Sequence, residues 1–269
     1  MGELVVQIEN IKKKFKFNSL AYVLDSEIGE VVVDNEDALI TKYFDPQQNL
    51  LIYRYALDDV RYLIDYLKQE NQNVLVPFVD YSFIDTLENA GLVVRSIFKD
   101  YFKHNLEDVE DINDFDVLEL SEAHRASMIT QNARNTSRGF FGQTTQWIEG
   151  WMLGTIDDVK DIGVKHQKIL VYREHQEIAG IICLGLYGYD KESGPILWIR
   201  ELVVDQAYQG QKIGQRLLKK GLSYGKLKHA RKAFLHVDEL NKNAIHIYEK
   251  YGFVSADDIG QIDMIYHGK

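Results

Sequence analysis

Residues 201–218 read ELVVDQAYQGQKIGQRLL, an apolar strand-like run that enters a polar turn holding Gly210 and Gly214. Beyond the turn, Ile213, Leu217, Leu218 and Leu222 recur at helical spacing. A strand that feeds a helix in this way presents free backbone N–H groups and the positive end of the helix dipole. That is anion-binding chemistry, and the glycines let a phosphate approach the backbone closely. The turn is not a Walker loop, because no Gly-Lys-Ser or Gly-Lys-Thr closes it, nor is it a Gly-x-Gly-x-x-Gly turn. A second set of residues follows. Asn241 or Asn243 can cap a helix on which Ala244, Ile247, Tyr248 and Tyr251 share one face, and Gly252 can end it before Phe253 and Val254. The chain has 16 tyrosines, so Tyr248 by itself reads as a core aromatic.

Other constellations carry less. Gly221, Ser223 and Gly225 match Gly-x-Ser-x-Gly, but a nucleophile elbow joins a strand to a helix, whereas this serine falls inside a helical pattern. The eight histidines show no ligand spacing such as His-Glu-x-x-His, so no metal site is expected. Cys183 is the single cysteine and sits in an apolar run, which suits a small buried hydrophobe and a reducing compartment. Trp147 and Trp151 stand one helical turn apart and read first as core.

Taken together, the two segments are specific. Gln209, Gly210, Gln211, Lys212, Ile213 and Gly214 resemble the acetyl-CoA pyrophosphate loop of the GNAT N-acetyltransferases: Gln or Arg, two residues, Gly, one residue, Gly or Ala. Asn241, Ala244, Tyr248, Gly252 and Phe253 resemble the second signature of that family, in the same order and at matching intervals. The likeness covers residues 115–269, and over the first half it is topological only. Lys212 departs from the pattern where glycine is usual, and a lysine there can itself pair with the phosphate.

The resemblance implies a mixed-sheet α/β fold in two tandem copies, with acetyl-CoA as cosubstrate and no metal. It implies acetyl transfer to a primary amine, of a small molecule or a peptide, by direct attack in a ternary complex. The strand ending at Val204 would splay from the strand at residues 233–237. The pantetheine arm would lie in the gap, lined by Leu202, Val203 and Val204. The pyrophosphate would sit on the N–H groups of Gln211, Lys212, Ile213, Gly214 and Gln215, behind Gln209 and Gly210. Tyr248 would give a proton to the departing thiolate. Asn241 would be a helix cap, a CoA contact, or both. Glu201 is the best-placed carboxylate for a base, and an exposed strand glutamate is the equal alternative. The N–H of Val203 would meet the oxyanion. The tryptophan helix would border the acceptor pocket. Two other readings stay open: a CoA-binding sensor or scaffold without turnover, and a tandem acyltransferase with a different acyl donor.

These residues need elements to hold them. In the second half the pattern gives helices at residues 121–132 and 145–152, then strands at 168–172, 178–187 and 196–204. A polar hairpin turn is expected at 173–177. A helix at 211–227, a strand at 233–237 and a capped helix then follow. The first half carries a weaker copy: strands at 21–24, 30–33, 38–44 and 50–55, a helix at 57–68, a strand at 74–79 and a helix at 81–89. Ala90, Gly91, Leu92 and Val93 close it as Tyr251, Gly252, Phe253 and Val254 close the second. The copy lacks the equipment, because Asp58 and Asp59 stand where a pyrophosphate would sit and Leu87 takes the place of Tyr248. The acidic stretch 107–116, EDVEDINDFD, reads as the linker between a degenerate domain at 1–106 and a catalytic domain at 117–269.

Composition agrees with this reading. Over 269 residues the net charge is −10, with 45% hydrophobic and 27% charged residues, so the chain is globular and acidic. An acidic chain does not recruit phosphates over its surface, which argues against nucleic-acid and anionic-membrane partners. Lys12, Lys13 and Lys14 are not followed by the apolar core of a signal peptide, and no apolar stretch reaches ~20 residues. A cytoplasmic protein is expected, and a homodimer is compatible with it.

Overall fold

The computed structural model describes residues 14–22, 28–46, 48–133, 141–160 and 162–268. In chain order the first elements are β1 (Phe17–Asn18), β2 (Glu30–Asp34), β3 (Ala38–Asp45), β4 (Leu50–Leu57), α1 (Arg61–Leu67), β5 (Val74–Val76), α2 (Ile84–Asn89) and β6 (Leu92–Lys103). Then come α3 (Ala123–Asn132), α4 (Thr145–Leu153), α5 (Asp157–Lys160), β7 (Lys165–Glu174), β8 (Glu177–Tyr187) and β9 (Ile196–Val204). The chain ends with α6 (Ile213–Leu227), β10 (Lys232–Asp238), α7 (Lys242–Lys250), β11 (Val254–Ser255) and β12 (Gln261–Tyr266). Two compact units result. Unit 1 is Met1–Phe98 with Ile259–Lys269, and unit 2 is Lys99–Asp258.

In unit 1 the strand order is β2-β3-β4-β5-β12-β6. The strands β2, β3 and β4 form an antiparallel meander, whereas β4 and β5, joined through α1, are parallel. The turn into β3 is set by Asn35, whose side-chain oxygen accepts the N–H groups of Asp37 and Ala38, both at 2.9 Å. All eight residues of β4 are buried, as a strand covered on both faces requires. Leu63, Ile64 and Leu67 of α1 and Leu87 of α2 close its core.

In unit 2 the order is β6-β10-β9-β8-β7. Here β7, β8 and β9 form the antiparallel meander, and β9 and β10, joined through α6, are parallel. The β7–β8 hairpin is tighter than its polar sequence suggests, with only His175 and Gln176 in the turn at φ 49° and 72°. The helix α6 buries Ile213, Leu217, Leu218 and Leu222 against the sheet. Its glycines allow a close approach: a Cβ at Gly225 would meet a Leu197 methyl at 2.6 Å, and one at Gly221 an Ile182 methyl at 2.8 Å. Ser223 between them donates to the Ile112 carbonyl (3.0 Å) and accepts the Ile112 N–H (2.7 Å). The Gly-x-Ser-x-Gly match is thus a packing motif.

The domain boundary differs from the expected one. The chain changes unit within β6, between Phe98 and Lys99, and its last strand, β12, belongs to unit 1. The acidic stretch lies along α6, where Glu110, Asp111 and Asp114 pair with Lys219, Lys226 and Lys220. Its charge has a basic helix face to meet, which is why residues 107–116 are not a free linker. The strand expected at 21–24 is also absent in its described part, because Ala21 and Tyr22 end a 3-10 turn (Ser19–Tyr22). Residues 23 and 24 lie outside the described residues, as do Lys12 and Lys13. No helix among the described residues is long and apolar enough to cross a membrane.

Candidate functional site

The site begins where two parallel strands separate. β9 and β10 pair from Ile196 and Lys232 to Trp198 and Phe234, after which β9 runs on to Val204 without that partner. A register shift against β8 adds to this: Leu184 faces Ile199 and Cys183 faces Glu201, so Arg200 is an extra residue in the strand. Such a bulge re-aims side chains. Beyond it, Leu202 and Val204 face the same core as Ile199, while Val203 packs on the opposite face with Trp198.

The gap opens onto a cavity of about 520 Å³, walled by Leu202 and Val204 of β9, the turn residues Tyr208 to Gly210 and Lys212 to Gln215, and Asn241, Asn243, Ala244, Ile247 and Tyr248 at α7. On the turn, Gly210 has φ +80° and Lys212 φ +63°, and a Cβ at Gly210 would meet nothing within 4 Å. Lys212 is the N-cap of α6 without a side-chain cap, and the first N–H to find an acceptor is that of Arg216, on the Lys212 carbonyl at 3.1 Å. Among the described residues, the N–H groups of 210–215 have no backbone acceptor. Several unpaired donors at the positive end of a 15-residue helix suit a diphosphate.

Tyr248 is 8% exposed, in contact with Phe253 at a ring-centroid distance of 5.9 Å, and it also lines the cavity. Its phenol pKa is raised above the ordinary value near 10, by burial first and then by the charge of Glu201. It therefore keeps its proton at neutral pH, as a donor must. Asn241 caps α7 through its side-chain oxygen, which accepts the Ala244 N–H at 3.2 Å, and it lines the cavity too.

Glu201 is buried. One of its oxygens, Oε1, accepts from Gln143 Nε2 at 2.6 Å and from Arg200 at 3.1 Å. Around it the guanidinium of Arg200 lies over Trp147 (5.3 Å) and Trp198 (5.7 Å), and Trp147 stacks on the fully buried Trp151 at 5.3 Å. Cys183 is wholly buried with its thiol pKa pushed up, chiefly by burial, so it is inert.

The structure thus brings Leu202, Val204, Gln209, Gly210, Lys212, Ile213, Gly214, Gln215, Asn241 and Tyr248 to one cavity. Val203 does not line it, because the strand alternation turns its side chain to the other face. Gln211 and Glu201 stand outside its walls as well. Tyr208, Asn243, Ala244 and Ile247 line it without having been expected there. For Ala244 and Ile247 the signal was the apolar face they share with Tyr248, read as core. Gln143 had no signal, since its role depends on the fold bringing it to Glu201. No group of three or more potential metal ligands occurs among the described residues.

In unit 1 the corresponding strands β4 and β5 pair only at Leu51–Val74 and Ile52–Leu75. Beyond this point β1 pairs with β4, Asn18 opposite Ala56 and Phe17 opposite Leu57, on the edge away from β3. Asp58 accepts the Lys16 N–H at 2.7 Å, and Asp59 is held by Arg61. Leu87 is fully buried.

Residues 131–253 match the model of the acetyltransferase (GNAT) family, so a GNAT domain occupies that span. The chain is 28% identical over 81 residues to the spermine/spermidine N(1)-acetyltransferase of Bacillus subtilis strain 168, covering 29% of this chain and 53% of that protein. It therefore spans about half the length of the curated relatives it matches. A GCN5-related N-acetyltransferase from Sphaerobacter thermophilus has a similar fold, with a TM-score of 0.56 at 14% identity over 86% of this chain and 77% of that one. A functionally unknown conserved protein from Staphylococcus epidermidis superposes with a TM-score of 0.51 at 15% identity, over 93% of this chain and 100% of that one. These two likenesses establish the mixed α/β fold.

Proposed function

We propose that the GNAT domain of unit 2 binds acetyl-CoA and transfers its acetyl group to a primary amine by direct attack in a ternary complex. The observation that carries this reading is the parting of β9 from β10 onto a cavity that holds both an uncapped helix N-terminus and the hydroxyl-bearing Tyr248. Acetyl-CoA supplies an activated thioester, and the walls fit it: donors for a diphosphate at residues 210–215, the free edge of β9 for an amide-bearing arm, and apolar Leu202, Val204 and Ile247 alongside.

In this reading the chain's own residues act as follows. The N–H groups at the start of α6 hold the diphosphate, with helix-end partial charge replacing the basic cluster that an acidic protein lacks. Tyr248 holds a proton on Oη and gives it to the departing sulfur. Glu201, fixed by Gln143 and Arg200, is the candidate base for an amine that must attack unprotonated. The bulge at Arg200 sets the direction of that carboxylate. The N–H of Val203, the expected oxyanion donor, is directed at β8 and not at the free edge, because Val203 stands opposite Ile181, two residues before the Asp205 N–H that donates to the Ala179 carbonyl at 2.9 Å. The acceptor is a small-molecule or peptide amine, the protein works in the cytoplasm, and the polyamines in the relatives' names are the first compounds to try. The test is an amine panel including spermidine, incubated with acetyl-CoA and read by release of free thiol. Thiol release that depends on an amine supports the reading, and binding of acetyl-CoA with no turnover on any amine would leave a CoA-binding sensor.

A further inference from the structure

We propose that Ser127 and Thr130 of α3 are positioning residues for acetyl transfer: they lock the main chain of Gln143, whose side chain then fixes the direction of the Glu201 carboxylate. The inference rests on the reading of Glu201 as the base, and it adds residues that lie outside the cavity proposed for acetyl-CoA.

Ser127 and Thr130 are 2% and 0% exposed, one turn apart on the inward face of α3, where an amphipathic helix ordinarily places apolar side chains. A buried hydroxyl has to find partners, and both find them on the main chain of one residue. Ser127 Oγ donates to the Gln143 carbonyl at 2.8 Å and accepts from Gln131 Nε2 at 3.1 Å. Thr130 Oγ1 accepts the Gln143 N–H at 2.8 Å and donates to the Ser127 carbonyl at 2.8 Å.

The neighbours of Gln143 are held too. A Cβ at Gly142 would meet the Gln131 Cα at 2.2 Å, so glycine lets the chain lie this close to α3. On the other side the Thr144 hydroxyl accepts the Trp147 N–H at 3.1 Å and caps α4. With its main chain fixed, Gln143 has only side-chain torsions left to set, and its Nε2 donates to Glu201 Oε1 at 2.6 Å. Joining two helices needs no side chain aimed at a buried carboxylate on another element, whereas directing that carboxylate does. Glu201 needs the direction because it sits at the β9 bulge, and Arg200, which also donates to Oε1, is a long side chain 30% exposed.

Other titratable groups stand around Glu201. Arg200 is beside it on β9, Cys183 is opposite it on β8, and the phenol of Tyr248 on α7 feels its charge. The thiol and the phenol are both raised, by burial first and then by Glu201, so neither loses its proton below about pH 9. On α3 itself Arg125 pairs with Asp205, and His124 meets the Thr145 hydroxyl at 3.3 Å.

The experiment measures single-turnover transfer by the full chain between about pH 6 and about pH 9, with the best amine of a panel that includes spermidine. We expect Thr130→Val and Ser127→Ala each to slow transfer about tenfold at neutral pH, as a misdirected group does, with acetyl-CoA affinity held within about twofold. The loss should shrink as pH rises, because an amine that has already shed its proton needs no base. Thr130→Ser keeps the hydroxyl and should restore most of the rate. On a Glu201→Gln background neither substitution should slow transfer further. Gln143→Leu leaves the main-chain bonds to α3 in place and should reproduce the loss, which decides the matter if the hydroxyl variants fail to fold. Transfer by Glu201→Gln at the wild-type rate across the range overturns the base reading and this inference with it, as does no turnover on any amine. Where Glu201→Gln is slow, wild-type rates in the folded variants overturn the inference alone. So does a loss that is equal at every pH, or one that persists in full on the Glu201→Gln background, since a merely structural role gives both.

Discussion

Both units of this chain run the same course: an antiparallel meander of three strands, a helix, a parallel strand, and a second helix. In both, the meander's last strand outruns its parallel partner, β9 leaving β10 after Trp198 and β4 leaving β5 after Ile52. What differs is the fate of the freed edge. In unit 2 it faces a cavity, with an uncapped helix N-terminus on one side and Tyr248 on another. In unit 1 the chain itself takes the edge, because β1 adds to β4 at Ala56 and Leu57. A shared topology therefore leaves function undecided. The occupant of the splayed edge and the residues at the following turn decide it.

The change expected to break this contrast most strongly is Gly214→Glu. A Cβ at Gly214 would meet only Val204 Cγ2, at 3.6 Å, so the backbone accommodates it. The carboxylate then enters the cavity beside the donors. We expect acetyl-CoA binding to fall by at least ~100-fold, and the thermal stabilisation that binding confers to vanish. An unchanged stabilisation would place the ligand elsewhere.

Tyr248→Phe comes next. It keeps the ring in its packing against Phe253, so affinity should hold while single-turnover transfer slows by about 10²-fold, near the lower end for general acid catalysis. A raised phenol pKa also fixes the pH behaviour. The folded state disfavours the phenolate, so stability from this group is fully present below its ordinary value near 10 and is lost as pH rises through the raised one. Wild-type transfer should accordingly show no alkaline limb from Tyr248 below about pH 10, and Tyr248→Phe should lose less stability above it. A tyrosine-dependent limb at lower pH would remove the donor role.

A smaller effect is expected for Gly210→Ala. The added methyl meets nothing, yet φ +80° is strained for any L side chain, at roughly 1 to 2 kcal/mol. Chemical denaturation should show a loss of that size with weakened binding. The smallest effect belongs to unit 1. Asp58→Asn removes the charge that argues against a diphosphate there while keeping an acceptor for the Lys16 N–H. Acetyl-CoA affinity should change by less than about twofold, because β1 still occupies the edge. Appearance of a second site would show that charge alone had kept the ligand out.

Much of unit 2 was legible because its signals are local. Residues 196–204 form the expected strand, the period of Ile213, Leu217 and Leu218 gives α6, and Asn241 caps α7 as its position suggests. The turn and Tyr248 were readable for the same reason, being motifs within one supersecondary unit. Non-local features were not. Pairing of β12 with β5 and β6 is invisible in a six-residue strand that could join any sheet, so the last strand was assigned with its sequence neighbours. The acidic stretch resembled a linker because its basic partners lie a hundred residues on, along α6. Val203 was misplaced by one step of strand alternation, and its neighbours Arg200 and Glu201 sit at a bulge that no residue type announces. The plug formed by Phe17 and Asn18 left no mark either, since a two-residue strand has no periodicity.

The central claim is that acetyl-CoA is held by unit 2 alone. Calorimetric titration of the intact chain with acetyl-CoA tests it most directly. One site per chain is predicted, with amide protection confined to residues 199–204, 209–216 and 241–248. Two sites per chain, or protection at residues 53–57, would contradict it.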